Sequence, residues 1–259
     1  MTNSGEVIVS CTTTRQRLPM LLYTLVSLQQ QSRKPDRIVV NVSREAYLSD
    51  EGIDDLPDWL SLAQVEVNWV SNTGPYRKLL PLINECADVD RVVTVDDDVL
   101  YHSGWLAALL KLDDSHPDHL VCTRARRMKR GLFGWKSYAR WRLLKRQAIG
   151  MDLMPTGSGG VLYKRSLLDM AFLNDPQAQV LAPTTDDLWF RMASMRKGTS
   201  VLVEPEAGRE NIFLKHNRGL EEINKKKKRR ALIDKIRGTK SGLNDGSWKR
   251  TCRYSEQLD

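Results

Sequence analysis

The sequence predicts an α/β protein with a mostly parallel sheet and helices on both faces. Three observations carry this. Short β-branched, apolar runs recur at 6–10 (EVIVS), 37–43 (RIVVNVS), 65–71 (VEVNWVS) and 91–95 (RVVTV), the composition of buried strands. Helical or loop sequence separates each run from the next, an order that favours parallel pairing through crossovers. At 259 residues, the chain is long enough for one large α/β domain or two small ones, with a substantial core.

After the first strand, Cys11 to Arg15 reads as a turn. Leu18 to Gln31 follows with an apolar stripe at Leu18, Leu21, Leu22, Leu25 and Leu28, which is helical spacing, and Pro19 suits a first helical turn. Residues 77–88 read as a helix leading into the strand at 91–95, and Trp105 to Leu112 as another helix. HLVCTRA (119–125) reads as a strand, while 126–150 is basic, aromatic and unassigned. GGVLYKRSLL (159–168) reads as strand into helix. TTDDLWFRMASMRKG (184–198) reads as a helix with Gly198 just past its end, and TSVLVEP (199–205) as a further strand. One domain is expected over residues 1–220, with a basic extension over 221–259.

Composition narrows the class. No apolar run is long enough to span a bilayer, and the first residues lack the basic and apolar regions of a secretory signal. The cysteines, Cys11, Cys86, Cys122 and Cys252, show no zinc-type spacing and read as reduced thiols. A cytoplasmic protein is expected. The formal charge of +8 comes from two places: residues 124–146 hold ten Lys/Arg and no acid, and Lys225 to Arg230 are all basic. The first segment interleaves its cations with Met128, Leu132, Phe133, Trp135, Tyr138, Trp141, Leu143 and Leu144. Such a stretch suits the anionic inner face of the cell membrane, a nucleic acid, or a groove where aromatic faces pack on sugars.

The chemistry centres on VVTVDDDVLY (92–101), where a buried strand runs into Asp96, Asp97 and Asp98. In an open parallel sheet, ligands bind outside the carboxyl ends of the strands. Adjacent carboxylates there suit a hard divalent cation, Mg²⁺ or Mn²⁺, whose shell is completed by substrate phosphates. A solvated acidic turn is the plain alternative.

A strand ending in Asp-x-Asp, after a strand–loop–helix carrying PMLLYTLVSLQQQSRKPDRIVV, resembles the nucleotide-sugar glycosyltransferases of the glycosyltransferase-A fold. The likeness is to the family 2-like enzymes of polysaccharide synthesis, with some similarity to exostosin-type transferases, and it covers roughly residues 6–216. It implies a single Rossmann-like catalytic domain and a Mn²⁺ or Mg²⁺ cofactor. The implied donor is a nucleotide-diphosphate sugar, UDP-linked by preference, and the implied acceptor a glycan or lipid-linked molecule. Thr12, Thr13, Thr14 and Arg15 would hold the base and ribose, with a surface cation as the other reading of Arg15. Within GPYRKLLPLI (74–83), Arg77 or Lys78 would reach the nucleotide, or else simply start a helix. Asp96 would lie near the ribose, Asp98 would bind the metal, and Asp97 would do either. His216 would be a further metal ligand or a surface histidine.

On the acceptor side the resemblance points to Asp186 and Asp187, with Leu188 and Arg191 matching best if Asp187 is the general base that inverting transfer needs. Thr184 to Asp187 would equally serve as a helix cap, favoured by the helix dipole. Gly157, Gly159 and Gly160 match a small-residue segment beneath the donor sugar and acceptor, or form a tight turn. Two rival functions stand beside sugar transfer. One is a nucleotidyltransferase using the same Asp cluster, although CTTTRQR lacks the glycine-rich loop usual in that class. The other is a nucleic-acid-binding protein acting through the basic segments.

Overall fold

A computed structural model describes residues 5–131, 134–136, 138–214 and 246–258. In chain order they form β1 (Val7–Thr12), α1 (Leu18–Gln29), β2 (Arg37–Val42), α2 (Asp58–Leu62), β3 (Glu66–Trp69), α3 (Leu80–Glu85), β4 (Arg91–Thr94) and β5 (Val99–Leu100). There follow α4 (Trp105–Ser115), β6 (Leu120–Cys122), β7 (Ala125–Arg127), β8 (Arg130–Gly131), β9 (Gly134–Trp135), β10 (Arg142–Leu143), β11 (Ala148–Gly150) and β12 (Leu153–Pro155). The last elements are β13 (Val161–Tyr163), α5 (Met170–Leu173), α6 (Gln177–Leu181), α7 (Asp186–Arg196), β14 (Val201–Val203), β15 (Ile212–Phe213) and a C-terminal helix, Gly246–Gln257.

The central sheet has eight strands in the order β11-β14-β6-β13-β4-β1-β2-β3. The β3–β2–β1–β4 half is parallel, as the alternating sequence predicts. β13 runs antiparallel between β4 and β6, and β11 antiparallel at the edge beside β14.

Strand alternation divides the core. Val7, Val9 and Val93 face Leu21, Leu25 and Leu28 of α1 and Trp105, Leu106 and Leu109 of α4. Ile8, Val39 and Val92 face the opposite layer, which holds Tyr76, Leu79, Phe172, Trp189 and Phe190. Helix α7 is buried from Leu188 to Ser194. Its Arg191 is wholly buried, donating to the carbonyls of Leu153 (2.8 Å), Met151 (2.8 Å) and Thr199 (2.9 Å). This residue therefore anchors the helix rather than serving the carboxylates before it.

Several predicted elements are shorter than expected. The helix expected over 77–88 is a 3-10 turn at Gly74–Lys78 followed by α3, because Pro81 fits only a first turn. The strand expected at 119–125 breaks after Cys122, and the chain resumes as β7 in a small antiparallel sheet, β10-β7-β12, that organises much of the basic segment. The expected boundary at residue 220, and with it Lys225–Arg230, lies outside the described residues. Beyond them the C-terminal helix docks on α7: the Tyr254 ring lies 6.3 Å from that of Trp189, and Arg196 Nη1 donates to the Ser255 carbonyl at 2.8 Å. Among the described residues, no helix is long and apolar enough to cross a membrane.

The turn into β13 is built on a glycine. Gly160 has φ +82°, and a Cβ there would lie 2.1 Å from Cζ2 of buried Trp105. Gly198 shares the left-handed backbone, at φ +79°, but faces open space. Gly160→Ala is expected to cost about 2–4 kcal/mol from backbone strain plus overpacking, against about 1 kcal/mol for Gly198→Ala. Equilibrium urea unfolding of the two variants measures the difference.

Candidate functional site

The site forms where the carboxyl ends of β1 and β4 meet the amino end of α7. Val95 still pairs with the sheet, its N–H donating to the Ser10 carbonyl at 2.9 Å. The three aspartates follow in the loop beyond. That loop is fixed on both sides, since the Asp96 N–H donates to the Tyr101 hydroxyl (3.1 Å) and the Asp98 carbonyl accepts from Leu214 (2.8 Å) beside the β5–β15 pairing.

The triplet divides its tasks. Asp97 is buried, takes a bidentate contact from the Arg17 guanidinium, and hydrogen-bonds with Thr13. Asp98 shares Arg17 at 3.0 Å and keeps 27% of its side chain exposed. Asp96 turns to Lys78, whose Nζ lies 3.3 Å from it, 2.8 Å from Asp186 and 3.4 Å from Asp187. Lys78 is itself buried. The plain reading of a solvated acidic turn is therefore excluded for Asp97, and the countercharge that the triplet needs is supplied in part by the chain's own Arg17 and Lys78.

Gly157 makes this approach feasible. A Cβ on it would lie 2.6 Å from Lys78 Nζ, 2.9 Å from Asp187 Oδ1 and 3.2 Å from Asp96 Oδ1. Its N–H donates to Asp187 Oδ2 at 2.8 Å. Gly159 and Gly160, also expected at the donor, make room for Arg124 and for Trp105.

Burial shapes the titration of these groups. It pushes Asp187 up to about 6, with Lys78 opposing and Asp186 adding repulsion. It pushes Asp98 up to about 6 as well, against Arg17. Asp97 also rises through burial, again against Arg17. For Lys78, burial acts downward, but Asp186, Asp187 and Asp96 outweigh it and hold the ammonium well above its ordinary range.

The remaining expected residues are dispersed. The Thr12 hydroxyl donates to the Asn41 carbonyl of β2 at 2.8 Å, and Thr14 precedes the 3-10 turn that carries Arg17. Arg15 points outward to Asp54, with both side chains exposed. Arg77 is buried on Asp50 at 2.7 Å and donates to the Thr13 carbonyl at 3.3 Å, so it supports the first loop from below. His216 lies outside the described residues. Sequence reasoning missed Arg17: it sits in the same CTTTRQR run as Arg15, and nothing in the spacing tells which arginine turns inward.

The donor set suits a hard cation in one respect: Asp96 and Asp98 offer partly exposed carboxylate oxygens. Among the described residues, no three acidic, histidine or cysteine side chains are arranged to hold an ion alone. A cation here would need ligands from its substrate, as Mg²⁺ commonly does with phosphates. A separate concavity of about 640 Å³ lies at the amino ends of β2 and β3, beside Arg37 and Glu66, at the sheet's other end.

No family model and no curated protein matches the sequence. Among solved structures, S. aureus TarS residues 1–349 in complex with UDP matches at TM-score 0.50 and 15% identity, over 77% of this chain and 58% of that one. A crystal structure of 4-diphosphocytidyl-2C-methyl-D-erythritol synthase matches at TM-score 0.49 and 14% identity, over 84% of this chain and 97% of that one. The chain spans little more than half of the TarS structure. The fold is an α/β fold of the glycosyltransferase-A, Rossmann-like class, as the sequence motifs imply.

Lys78→Met leaves three carboxylates facing one another without their ammonium. Breaking a buried ionic cluster from one side costs about 3–5 kcal/mol at neutral pH. Asp187, already pushed up to about 6 by burial, would rise further, so stability should recover as pH falls and it protonates. Urea unfolding at pH 7.5 and pH 5 measures both the loss and its recovery.

Proposed function

We propose that the protein is a metal-dependent glycosyltransferase, moving a sugar from a nucleotide-diphosphate donor to a glycan or lipid-linked acceptor with inversion. The observation that carries the reading is the meeting of Asp96 and Asp187 across Lys78, which joins the carboxyl end of β4 to the start of α7. The UDP bound in the TarS structure, which shares this fold, supports a nucleotide donor.

In this reading Asp187 is the general base. It keeps 29% of its side chain exposed, whereas Asp186 is 8% exposed and held at 2.8 Å by Lys78. A pKa of about 6 lies close to working pH, where a carboxylate accepts a proton best. The acceptor hydroxyl oxygen attacks the anomeric carbon as its proton passes to Asp187. The bond from that carbon to the diphosphate breaks, and the electron pair leaves with the nucleoside diphosphate. Bound Mg²⁺ or Mn²⁺, held by Asp98 and Asp96, would offset charge on the departing diphosphate. Thr13 and Arg17 position the loop beneath the nucleotide, and the Gly157 N–H keeps Asp187 aimed.

Asp187→Asn is expected to lower sugar transfer about 10³-fold or more while leaving nucleotide binding intact. Wild-type kcat/KM should fall below about pH 6, as Asp187 protonates. Release of a nucleoside diphosphate from a nucleotide sugar measures the activity; release of pyrophosphate from a nucleoside triphosphate would point to nucleotidyl transfer instead. Asp98→Ala should abolish the part of the UDP-induced thermal shift that requires Mn²⁺. A nucleotide shift of equal size with and without metal would remove the metal from the reading.

A further inference from the structure

Asp187 has a cationic neighbour that takes no part in the proposed transfer. Arg124 Nη1 donates to the Thr156 hydroxyl at 2.7 Å, and Thr156 directly precedes the glycine whose N–H holds Asp187. The Arg124 guanidinium lies 6.0 Å from the half-exposed ring of Phe213. The Arg126 guanidinium lies 4.9 Å over the half-exposed ring of Tyr138 and donates to the Trp141 carbonyl at 2.8 Å. Arg126 also hydrogen-bonds with the Tyr138 hydroxyl, and Arg124 joins this wall to Asp187 through Thr156 and the adjoining Gly157.

A guanidinium has five N–H donors. Arg124 directs one donor to Thr156 and Arg126 two, to the Trp141 carbonyl and the Tyr138 hydroxyl, so each keeps further N–H groups, and Arg140 and Arg142 add exposed positive charge on the same segment. The segment holds ten cations and no acid, and the neighbouring Asp152 takes Arg127. Two forked guanidinium groups set over aromatic rings suit a multiply charged oxyanion better than a single carboxylate.

We infer that Arg124 and Arg126, with Tyr138 and Phe213, form a subsite for a phosphate or diphosphate group on the acceptor, beside Asp187. The acceptor's identity as a sugar acceptor rests on the proposed function; the anion subsite itself does not. The shared chemistry is a phosphate ester, borne either by a soluble glycan or by a lipid headgroup.

The test is binding of inorganic pyrophosphate to the full chain in EDTA, where no metal can bridge it to the carboxylates, followed by calorimetry. Arg124→Gln with Arg126→Gln should weaken binding about tenfold or more, as loss of charge-assisted hydrogen bonds does. Arg33→Gln with Lys34→Gln, the same charge loss at the sheet's far end, should leave it unchanged. Asp187→Asn should tighten binding about threefold by removing a nearby negative charge. Phosphatidylcholine vesicles with and without phosphatidylglycerol provide the second arm. Arginine-dependent binding of pyrophosphate supports a soluble phosphate, and arginine-dependent binding confined to the anionic vesicles supports a headgroup. Equal weakening by the two double variants overturns the subsite, as does binding confined to a single-stranded oligonucleotide. Should the glutamine variant unfold, unchanged pyrophosphate affinity in Asp187→Asn overturns the subsite in its place. Failure of the Mn²⁺–UDP response with the arginine dependence retained would remove sugar transfer but leave the subsite standing.

Discussion

One buried ammonium group organises this end of the molecule. Lys78 arrives from a 3-10 turn, Asp96 from the end of β4, and Asp186 and Asp187 from the first turn of α7. Taking an ammonium out of water costs several kcal/mol unless its charge is answered at close range, and three carboxylates here answer it. The converse also holds: the carboxylates sit where their mutual repulsion would be severe without Lys78. Neither partner is stable there alone, so the chain segments that carry them are fixed relative to one another. Gly157 is the steric condition of that meeting, because any side chain would enter the space between ammonium and carboxylates.

The second cation, Arg17, explains why three aspartates can follow one another. Successive side chains leave the loop in different directions, so Asp96 reaches Lys78 while Asp97 and Asp98 reach Arg17. Two cations against five carboxylates still leave an excess of negative charge. Buried carboxyl groups under such an excess hold their protons longer, in keeping with values near 6 for Asp98 and Asp187. A site of this kind gains from any further positive charge it can bind. That is the physical support for a cation arriving with a diphosphate, with Arg17 and Lys78 already answering part of the triplet's charge.

Much of the fold was legible because its signals are local. Val7, Ile8 and Val9, like Val92 and Val93, form unbroken apolar runs whose neighbours enter opposite layers, the pattern of strands buried on both faces. The β-to-α order gave the parallel half, and the strand running into Asp96 marked the site's edge. What stayed hidden depends on contacts across the chain. Nothing near Val161–Tyr163 tells that β13 runs against β4, since strand direction is set by the path of the connection. Arg15 and Arg17 are two residues apart, and only the 3-10 turn decides which meets Asp97. For Lys78 the resemblance offers contact with the nucleotide or a plain helix start, and its role as the hub of carboxylates from residues 96 and 187 requires the fold. The basic stretch resisted assignment because its strands are two or three residues long, too short to show a period.

The same shortness has an electrostatic consequence. Arg124 directly precedes the small sheet and Arg126 lies in it, with the Arg124 guanidinium turned to the Thr156 hydroxyl and the Arg126 guanidinium to a main-chain carbonyl. Opposite charges sharing a site would lower the energy of the folded chain if they paired, and among the described residues neither arginine pairs with Asp187. The backbone instead keeps an acidic floor and a basic wall apart, with Thr156 and Gly157 between them. Groups held short of neutralising one another retain the capacity to act on something else. An asymmetric substrate, one end carrying a metal-bound diphosphate and the other a free phosphate, would meet complementary charge at both ends only in this arrangement.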